Sequence, residues 1–269
     1  MESSKILYIS QEIKPYLPDS PVAVLSRDLS QGVMESGREI RTFMPRFGSV
    51  NERRNQLHEV IRLSGLNIVI DDTDHPLLIK VASIQAARMQ IYFIDNDDLF
   101  SRKGTIADPN SNELFPDNDE RSIFFARGAL ETTKKLRWVP DLIHLHGWFT
   151  TMVAIYTRLM GKKDPYFAKS KIVVSLYDDQ WQGNWDNMNR KLWVEGIDEK
   201  ALKKIKITDY MSLMKTAIDL SNGVTVCSPT ANTELIDYAK ASGKPVLDYP
   251  GDTDYVPAYN NFYDLVLAQ

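Results

Sequence analysis

The chain has 269 residues, with 32 lysines and arginines against 36 aspartates and glutamates, which gives a formal charge of −4. This charge excludes binding of nucleic acid by bulk electrostatic attraction. The apolar share of 43% fills a sizeable core and excludes disorder as the main state. The single cysteine, Cys227, excludes an internal disulfide framework and a multi-thiolate metal site, which favours a reducing, cytoplasmic compartment.

The amino-terminal residues lack the apolar core of an export signal, because the chain turns polar at residues 10–12. The longest apolar runs are a handful of residues, as in Ile68-Val69-Ile70, whereas a membrane helix needs about 20. We therefore expect a soluble protein with neither a membrane nor a nucleic acid as partner.

In the first half of the chain, short apolar runs alternate with stretches of 3.6-residue periodicity, a pattern typical of parallel α/β architecture. The predicted elements are a strand from Lys5 to Ser10, a helix from Pro21 capped by Ser20 and closed by Gly37, and a strand from Glu39 to Met44. Residues 56–95 contain predicted strands at 66–70, 77–84 and 89–94 with little room for helices, which indicates an antiparallel or mixed insertion. Residues 95–118 are predicted as a surface loop.

The second half continues the alternation. The predicted elements are a helix from Asp119 to Leu136 capped by Asn118 or Asp117, a strand at 142–145, a helix at 149–160, a strand at 172–176, a helix at 211–220, a strand at 224–227, a helix from Ser228-Pro229 to Ala241 closed by Gly243, one short strand and a helical turn near Phe262. No repeat or linker divides the chain, so we predict one domain over residues 1–269.

Two histidines, His144 and His146, lie at i and i+2 and therefore on one side of a strand end. In an open α/β sheet this carboxyl edge is where ligands bind. The other histidines, His58 and His75, fall in segments predicted as edge elements, so we expect no metal. The alternative is that His144 is a hydrogen-bonded core residue and His146 a polar strand-end residue.

The loop after the first strand, residues 15–21, is the natural place for the phosphates of a nucleotide. It contains no glycine, its prolines lack an N–H, Asp19 adds negative charge, and the nearest cation is Lys14. This chemistry favours a structural turn over a phosphate cradle.

The segment from Tyr177 to Gly183 follows another predicted strand and combines aromatic rings with carboxylates and amides. Such groups suit sugars, which offer C–H faces for stacking and hydroxyls for hydrogen bonds. The alternative is a loop whose tryptophans only cover the core. Cys227, at the end of a predicted buried strand, is expected to serve core packing.

Several motifs between about residues 5 and 235 are specific together, although each is weak alone. They are Ser10-Gln11-Glu12-Ile13-Lys14-Pro15, Phe43-Met44-Pro45-Arg46-Phe47, Asp117-Asn118-Asp119-Glu120-Arg121 with Phe125, the run from Trp138-Val139-Pro140-Asp141 to His144, His146 and Trp148, then Gln182-Gly183, Met214-Lys215, and Val224-Thr225-Val226-Cys227-Ser228-Pro229-Thr230. Together they resemble the catalytic amino-terminal domain of bacterial glycogen synthase and plant starch synthase.

The resemblance implies a Rossmann-like, doubly wound, mostly parallel sheet that forms a single half of a GT-B type glycosyltransferase, with the family's C-terminal domain absent. It implies glucosyl transfer from ADP-glucose or UDP-glucose to an α-1,4-glucan with retained configuration and without a further cofactor. It also implies His146 as the catalytic residue, in contact with the transferring sugar. The predicted substrate-binding residues are Glu12, Lys14, Trp148, Tyr177, Asp178, Trp181 and Gln182.

The sequence also departs from the family pattern at polar positions. The K-T-G-G-L donor loop aligns with residues 18–22, the aspartate of H-D-W is Gly147, and the H-N of a later loop is Tyr177-Asp178. Two hypotheses follow: a glycosyltransferase that is impaired or dependent on a partner chain, or a non-catalytic relative that binds a protein or a glycan. Because half of a two-domain enzyme exposes the surface facing its mate, we expect a homo-oligomer or a hetero-complex.

Overall fold

A computed structural model describes residues 3–160 and 164–269. Within these residues the strands are β1 (Lys5–Ser10), β2 (Glu39–Pro45), β3 (His58–Glu59), β4 (Leu66–Ile70), β5 (Thr73–Ile84), β6 (Met89–Asp95), β7 (Leu142–His146), β8 (Lys171–Leu176), β9 (Gly223–Val226) and β10 (Val246–Leu247). The helices are α1 (Pro21–Glu35), α2 (Asp97–Phe100), α3 (Asn118–Lys135), α4 (Met152–Leu159), α5 (Met188–Leu192), α6 (Glu199–Leu202), α7 (Tyr210–Leu220), α8 (Thr233–Ala241) and α9 (Val256–Leu267).

The strands form one mixed sheet in the order β10-β9-β8-β7-β1-β2-β6-β5-β3, with β4 paired to β5. The pairs from β10 to β6 are parallel, and β3, β4 and β6 each run antiparallel to β5. The predicted mostly parallel α/β fold is therefore confirmed. Among the described residues, no helix combines the length and the apolar character needed to cross a bilayer.

Helix α1 begins where its local sequence predicts. The Ser20 hydroxyl accepts a hydrogen bond from the Ala23 N–H at 3.0 Å, and Pro21 occupies the first helical position, where its missing N–H costs nothing. The helix ends before Gly37, whose φ of +97° is a conformation that glycine adopts without strain.

Several predicted elements differ from the structure in their bounds. The predicted helix at 149–160 begins as a 3₁₀ turn over Trp148–Thr150, and α4 starts only at Met152. The predicted helix from Ser228 starts at Thr233, because the Asn232 side chain accepts from the Leu235 N–H and caps it. The predicted loop at 95–118 contains the short helix α2, and the predicted turn near Phe262 is the whole of α9.

The two faces of the sheet carry different helices. On one face α3 packs on α4, α4 on α7, and α7 on α8, whereas α9 packs against α1 on the other. Helix α9 lies close to β9, since a Cβ added to Gly223 would come within 2.9 Å of Phe262 and Val266. The Arg38 guanidinium holds the helix by donating to Asn260 and Asp264.

Candidate functional site

A cleft of about 750 Å³ opens at the carboxyl ends of β1 and β8. Its walls come from residues 11–12, from residues 20–22 at the start of α1, from parts of the loop over residues 106–114, and from residues 177–182 after β8. Open α/β sheets bind ligands at this edge, because loops that follow neighbouring parallel strands converge there. The cleft is therefore the candidate functional site.

The cleft brings together five of the predicted site residues. These are Glu12, Tyr177, Asp178, Trp181 and Gln182. Lys14, His146 and Trp148 lie outside the cleft wall. The residues of the wall that the sequence reasoning did not nominate include Asn112 and Glu113, which come from a distant loop. Asp179 belongs to the segment that the sequence singled out, although it was not among the predicted substrate-binding residues.

The polar groups of the loop between β1 and α1 bind one another. The Ser20 hydroxyl donates to Glu12 Oε2 at 2.5 Å while accepting from the backbone of α1. The Lys14 ammonium group pairs with the Asp19 carboxylate at 2.7 Å on the protein surface. This arrangement is that of a structural turn, in which the loop's only cation is already paired.

Four carboxylates line the cleft, those of Glu12, Glu113, Asp178 and Asp179. The lining residues, all of which the structure describes, include no lysine or arginine. A diphosphate brings about two negative charges and requires compensation by cations or backbone N–H groups. Sugar hydroxyls, by contrast, donate readily to carboxylate oxygens. The electrostatics of the cleft therefore favour a neutral polyhydroxylated ligand.

Asp178 and Asp179 play different parts although they are neighbours. Asp179 accepts from the Tyr210 hydroxyl at 2.6 Å and from the Trp148 N–H at 3.2 Å, and burial raises the pKa of its carboxyl group. Asp178 is exposed. Asp179 thus anchors the loop to α7 and to the turn after β7, which leaves Asp178 free to meet a ligand.

The tryptophans near this edge form a packed cluster. The rings of Trp181 and Trp185 lie 4.7 Å apart between centroids, and both approach Trp148 at 5.5 and 5.7 Å. All three side chains are buried. The cluster covers the core, and only Trp181 also lines the cleft.

His144 and His146 lie on β7 with both side chains fully buried. Nδ1 of His144 is 2.7 Å from the Tyr263 hydroxyl, and its Nε2 is 2.8 Å from the Ser175 hydroxyl. Burial, with a smaller contribution from His146, lowers the pKa of His144 well below its usual value. His144 is therefore a neutral, hydrogen-bonded core residue, as the alternative interpretation predicts.

His146 has one satisfied ring nitrogen and one without a partner. Its Nδ1 is 2.7 Å from the Tyr177 hydroxyl, while Nε2 is buried and makes no hydrogen bond. Burial lowers the pKa of His146 to about 3, so the ring is neutral at physiological pH. Tyr177 lines the cleft, whereas His146 does not. Within the described residues, no group of three or more His, Cys, Asp or Glu side chains is arranged to hold a metal ion.

Arg121 holds the loop that forms one wall of the cleft. Its fully buried guanidinium donates to the carbonyl oxygens of Leu99 and Thr105 at 2.8 Å each and to Asn118 Oδ1 at 2.6 Å. Burial lowers its pKa to about 9, which still leaves it charged at neutral pH. The sequence motif that contains Arg121 was the available signal, but it carries no information about the carbonyl acceptors.

Comparison with known proteins agrees with this fold. The family model for the starch synthase catalytic domain matches residues 5–247. The glycogen synthase of Chlorobaculum parvum is 31% identical over 239 residues, which cover 88% of this chain and 48% of that protein. The glycogen synthase of Chlorobium phaeobacteroides is 34% identical over 179 residues, covering 66% of this chain and 37% of that protein.

The fold also resembles a solved structure, the catalytic domain of starch synthase IV from Arabidopsis thaliana bound to ADP and acarbose. The TM-score is 0.75 at 18% identity, and the match covers 94% of this chain and 52% of that one. The fold is of the GT-B type α/β class to which this starch synthase catalytic domain belongs. The chain belongs to the starch synthase catalytic domain family, and it spans about half the length of the curated relatives that it matches.

Proposed function

We propose that this chain is the glucan-binding half of a glycogen or starch synthase type glycosyltransferase, and that its cleft binds the glucosyl units of an α-1,4-glucan. The observation that carries the proposal is the composition of the cleft, which combines four carboxylates, the amides of Gln180 and Gln182 and the ring of Trp181 without a cation. Such a surface suits a neutral sugar.

Glucosyl transfer from ADP-glucose or UDP-glucose breaks the bond between the sugar's anomeric carbon and a phosphate oxygen and forms a bond to a glucan hydroxyl. The departing diphosphate needs preorganised positive groups, which supply a large part of the rate in such reactions. Lys14 is paired with Asp19, and the cleft wall adds negative charge. The proposal is therefore that transfer is impaired unless another domain or chain supplies the cations.

Calorimetry tests the binding half of this proposal. We expect maltoheptaose to release heat on binding, and ADP-glucose and UDP-glucose to release none. Asp178→Ala and Gln182→Ala each remove an exposed hydrogen-bonding group and are expected to weaken maltoheptaose binding by about 5- to 30-fold. Asp186→Ala, an exposed aspartate in the same segment outside the cleft wall, is the matched control. Binding of either sugar nucleotide without maltoheptaose binding would contradict the proposal.

The second candidate function is a non-catalytic glycan-binding module, which the paired state of Lys14 favours. An assay of nucleotide diphosphate release in the presence of glycogen distinguishes the two. A transferase releases diphosphate, and His146→Ala abolishes the release. A binding module releases none, alone or in complex, while maltoheptaose binding persists.

We further propose that the chain works as a homo-oligomer or a hetero-complex, because a partner is the simplest source of the cations that the cleft lacks. Sedimentation velocity over a range of concentrations, alone and after isolation from the source cell, checks this. A monomeric mass in every sample would contradict it.

A further inference from the structure

Trp193 is the exposed member of the five tryptophans. Its residue surface is 52% accessible, whereas Trp138, Trp148, Trp181 and Trp185 are all buried. A large aromatic side chain left in water is uncommon on a soluble protein and marks a candidate interaction site when a shaped surface surrounds it.

Such a surface is present. Trp193 lines a groove of about 400 Å³, whose other walls are the turn between β4 and β5 and the helices α5 and α6. Asp71 and Asp72 come from the turn, Arg190 from α5, and Lys203 follows α6. The groove is separate from the cleft, since the two share no lining residue.

The walls of the groove are tied to each other by Arg190. Its guanidinium pairs with Asp71 and also with Asp72, the latter at 2.8 Å. Hydrogen bonding to Asp71 is the main cause that raises the pKa of Arg190. This double contact links the turn to α5, the helix that immediately precedes Trp193.

The charges around the groove nearly balance. Three carboxylates and two cations line the groove, together with one uncharged amide; they are Asp71, Asp72, Glu199, Arg190, Lys203 and Asn189. Arg190 is already paired with both aspartates of the turn, which leaves Glu199, Lys203 and Asn189 to meet a ligand. Together these three offer one negative charge, one positive charge and an amide, a set of donors and acceptors that suits the hydroxyls of a neutral ligand. The exposed indole adds a flat face for the C–H side of a sugar ring.

We propose that this groove is a second carbohydrate-binding site, in which a glucosyl unit of an α-glucan stacks on Trp193 while its hydroxyls bond to Asn189 and Glu199. The choice of a glucan rests on the proposed function; the existence of the site rests on the groove alone. The segment over residues 177–203 lines both the cleft and the groove. A long glucan that engages both sites gains affinity through effective concentration, which a short oligosaccharide does not.

Affinity electrophoresis in gels containing glycogen tests the proposal. We expect Trp193→Ala to weaken glycogen binding roughly tenfold, and Trp193→Phe, which keeps a ring, to weaken it much less. Leu265→Ala is the matched control, because Leu265 is another exposed large apolar residue, 56% accessible on α9. Acrylamide quenching gives a second readout: glycogen should protect the exposed indole of the wild-type protein, a signal that Trp193→Phe lacks.

The outcomes separate this inference from the cleft proposal. If Trp193→Ala binds glycogen as tightly as the wild type while Gln182→Ala binds less, the groove inference is wrong and the cleft proposal stands. If Trp193→Ala weakens binding and Gln182→Ala does not, the groove inference stands and the cleft proposal is wrong. Equal losses for Trp193→Ala and Leu265→Ala would also overturn the inference, because they indicate nonspecific apolar adsorption.

Discussion

The imidazole rings of His144 and His146 lie with their centroids 4.0 Å apart in a fully buried part of β7. Tyr8 on the neighbouring strand approaches both rings at 5.8 Å, and the Tyr263 and Tyr177 hydroxyls each bond one of them. Apart from each other, the titratable groups that contact the two rings are these tyrosines, whose pKa values burial raises. No carboxylate within the described surroundings hydrogen-bonds to either ring, so both histidines are held neutral.

The first prediction concerns stability at acid pH. Both histidines have folded pKa values below the unfolded value of about 6.5, so the unfolded chain binds more protons once the pH falls below 6.5. Their contribution to stability is complete above this pH and is lost as the pH falls toward 3. Between pH 7.5 and 5 we expect each ring to lower the free energy of unfolding by about 2 kcal/mol, measured by urea unfolding.

The quantity to compare between variants is the slope of the free energy of unfolding against pH, because the absolute stability also changes with each substitution. Burial raises the pKa of Asp119 and Asp179, and these carboxyls contribute the opposite slope at low pH. His144→Gln and His146→Gln are each expected to reduce the loss between pH 7.5 and 5 relative to the wild type. Variants with the wild-type slope would contradict the assignment of the loss to these rings.

The second prediction concerns Arg121. Replacing it with Met keeps much of the volume but leaves two carbonyl oxygens and Asn118 without their donor in a buried site. We expect a loss of about 2–4 kcal/mol in the free energy of unfolding, and Arg121→Lys to restore only part of it because an ammonium cannot span the three acceptors. The exposed Arg62→Met should change stability by less than about 0.5 kcal/mol.

The loop held by Arg121 also forms one wall of the cleft, which gives this prediction a second readout. Arg121→Met should weaken maltoheptaose binding at a temperature where the variant is still folded. Full stability in the variant would show that water replaces the guanidinium without cost, which is contrary to our expectation.

The third prediction concerns Gly147, at the position where the resembling motif has aspartate. Its φ of +85° and ψ of 148° lie in a region that only glycine adopts without strain, and an added Cβ would come within 2.9 Å of Gln11. Gln11 cannot move away freely, because two hydrogen bonds hold it. Its backbone N–H donates to the His146 carbonyl oxygen, and its side-chain Oε1 accepts from the Phe149 N–H. We expect Gly147→Asp to destabilise the protein by about 1–3 kcal/mol without increasing diphosphate release.

Gly65→Ala is the matched control for Gly147, because Gly65 has a φ of +88° with no heavy atom within 4 Å of an added Cβ. Gly65→Ala adds only the strain of a positive φ, whereas Gly147→Ala adds this strain and a steric clash with Gln11. Gly147→Ala should therefore lower the melting temperature more than Gly65→Ala. A Gly147→Asp variant as stable as the wild type would contradict the prediction.

The fourth prediction concerns the Cys227 thiol. It is buried, lies 3.1 Å from the Tyr259 hydroxyl, and has a pKa that burial raises. Because the thiolate is the reactive form, we expect no reaction with a disulfide reagent in the native protein and one equivalent after unfolding in guanidinium. Rapid labelling of the native protein would indicate that α9 opens readily.

The sequence predicts elements well where the signal is local. Ser20 and Pro21 mark the start of α1 because capping and ring geometry act within one turn. The cap of α8 is Asn232, four residues after the predicted cap Ser228, since both are plausible caps and the choice depends on tertiary packing. Helix α9 was predicted as a single turn, because its apolar face is defined by contacts with α1 and β9.

The sequence predicted several residues that share the cleft, but not the different contacts that each of them makes. The sequence places Asp178 and Asp179 together, but contacts with the distant Tyr210 hydroxyl and Trp148 N–H make Asp179 an anchor, while Asp178 is exposed. Likewise Trp181 and Trp193 are both tryptophans after β8, and their different burial follows from three-dimensional packing. The catalytic assignment of His146 stays a prediction.

The hydroxyl groups of Tyr8 and Tyr263 lie 3.0 Å apart although 255 residues separate them in the chain. At translation rates of about 5–20 residues per second, the ribosome adds residue 263 some ten seconds to a minute after residue 8. During that interval β1, and later β7, lack the helix whose Tyr263 hydroxyl bonds to Tyr8 and to His144. This part of the core therefore cannot be completed until translation has passed residue 263.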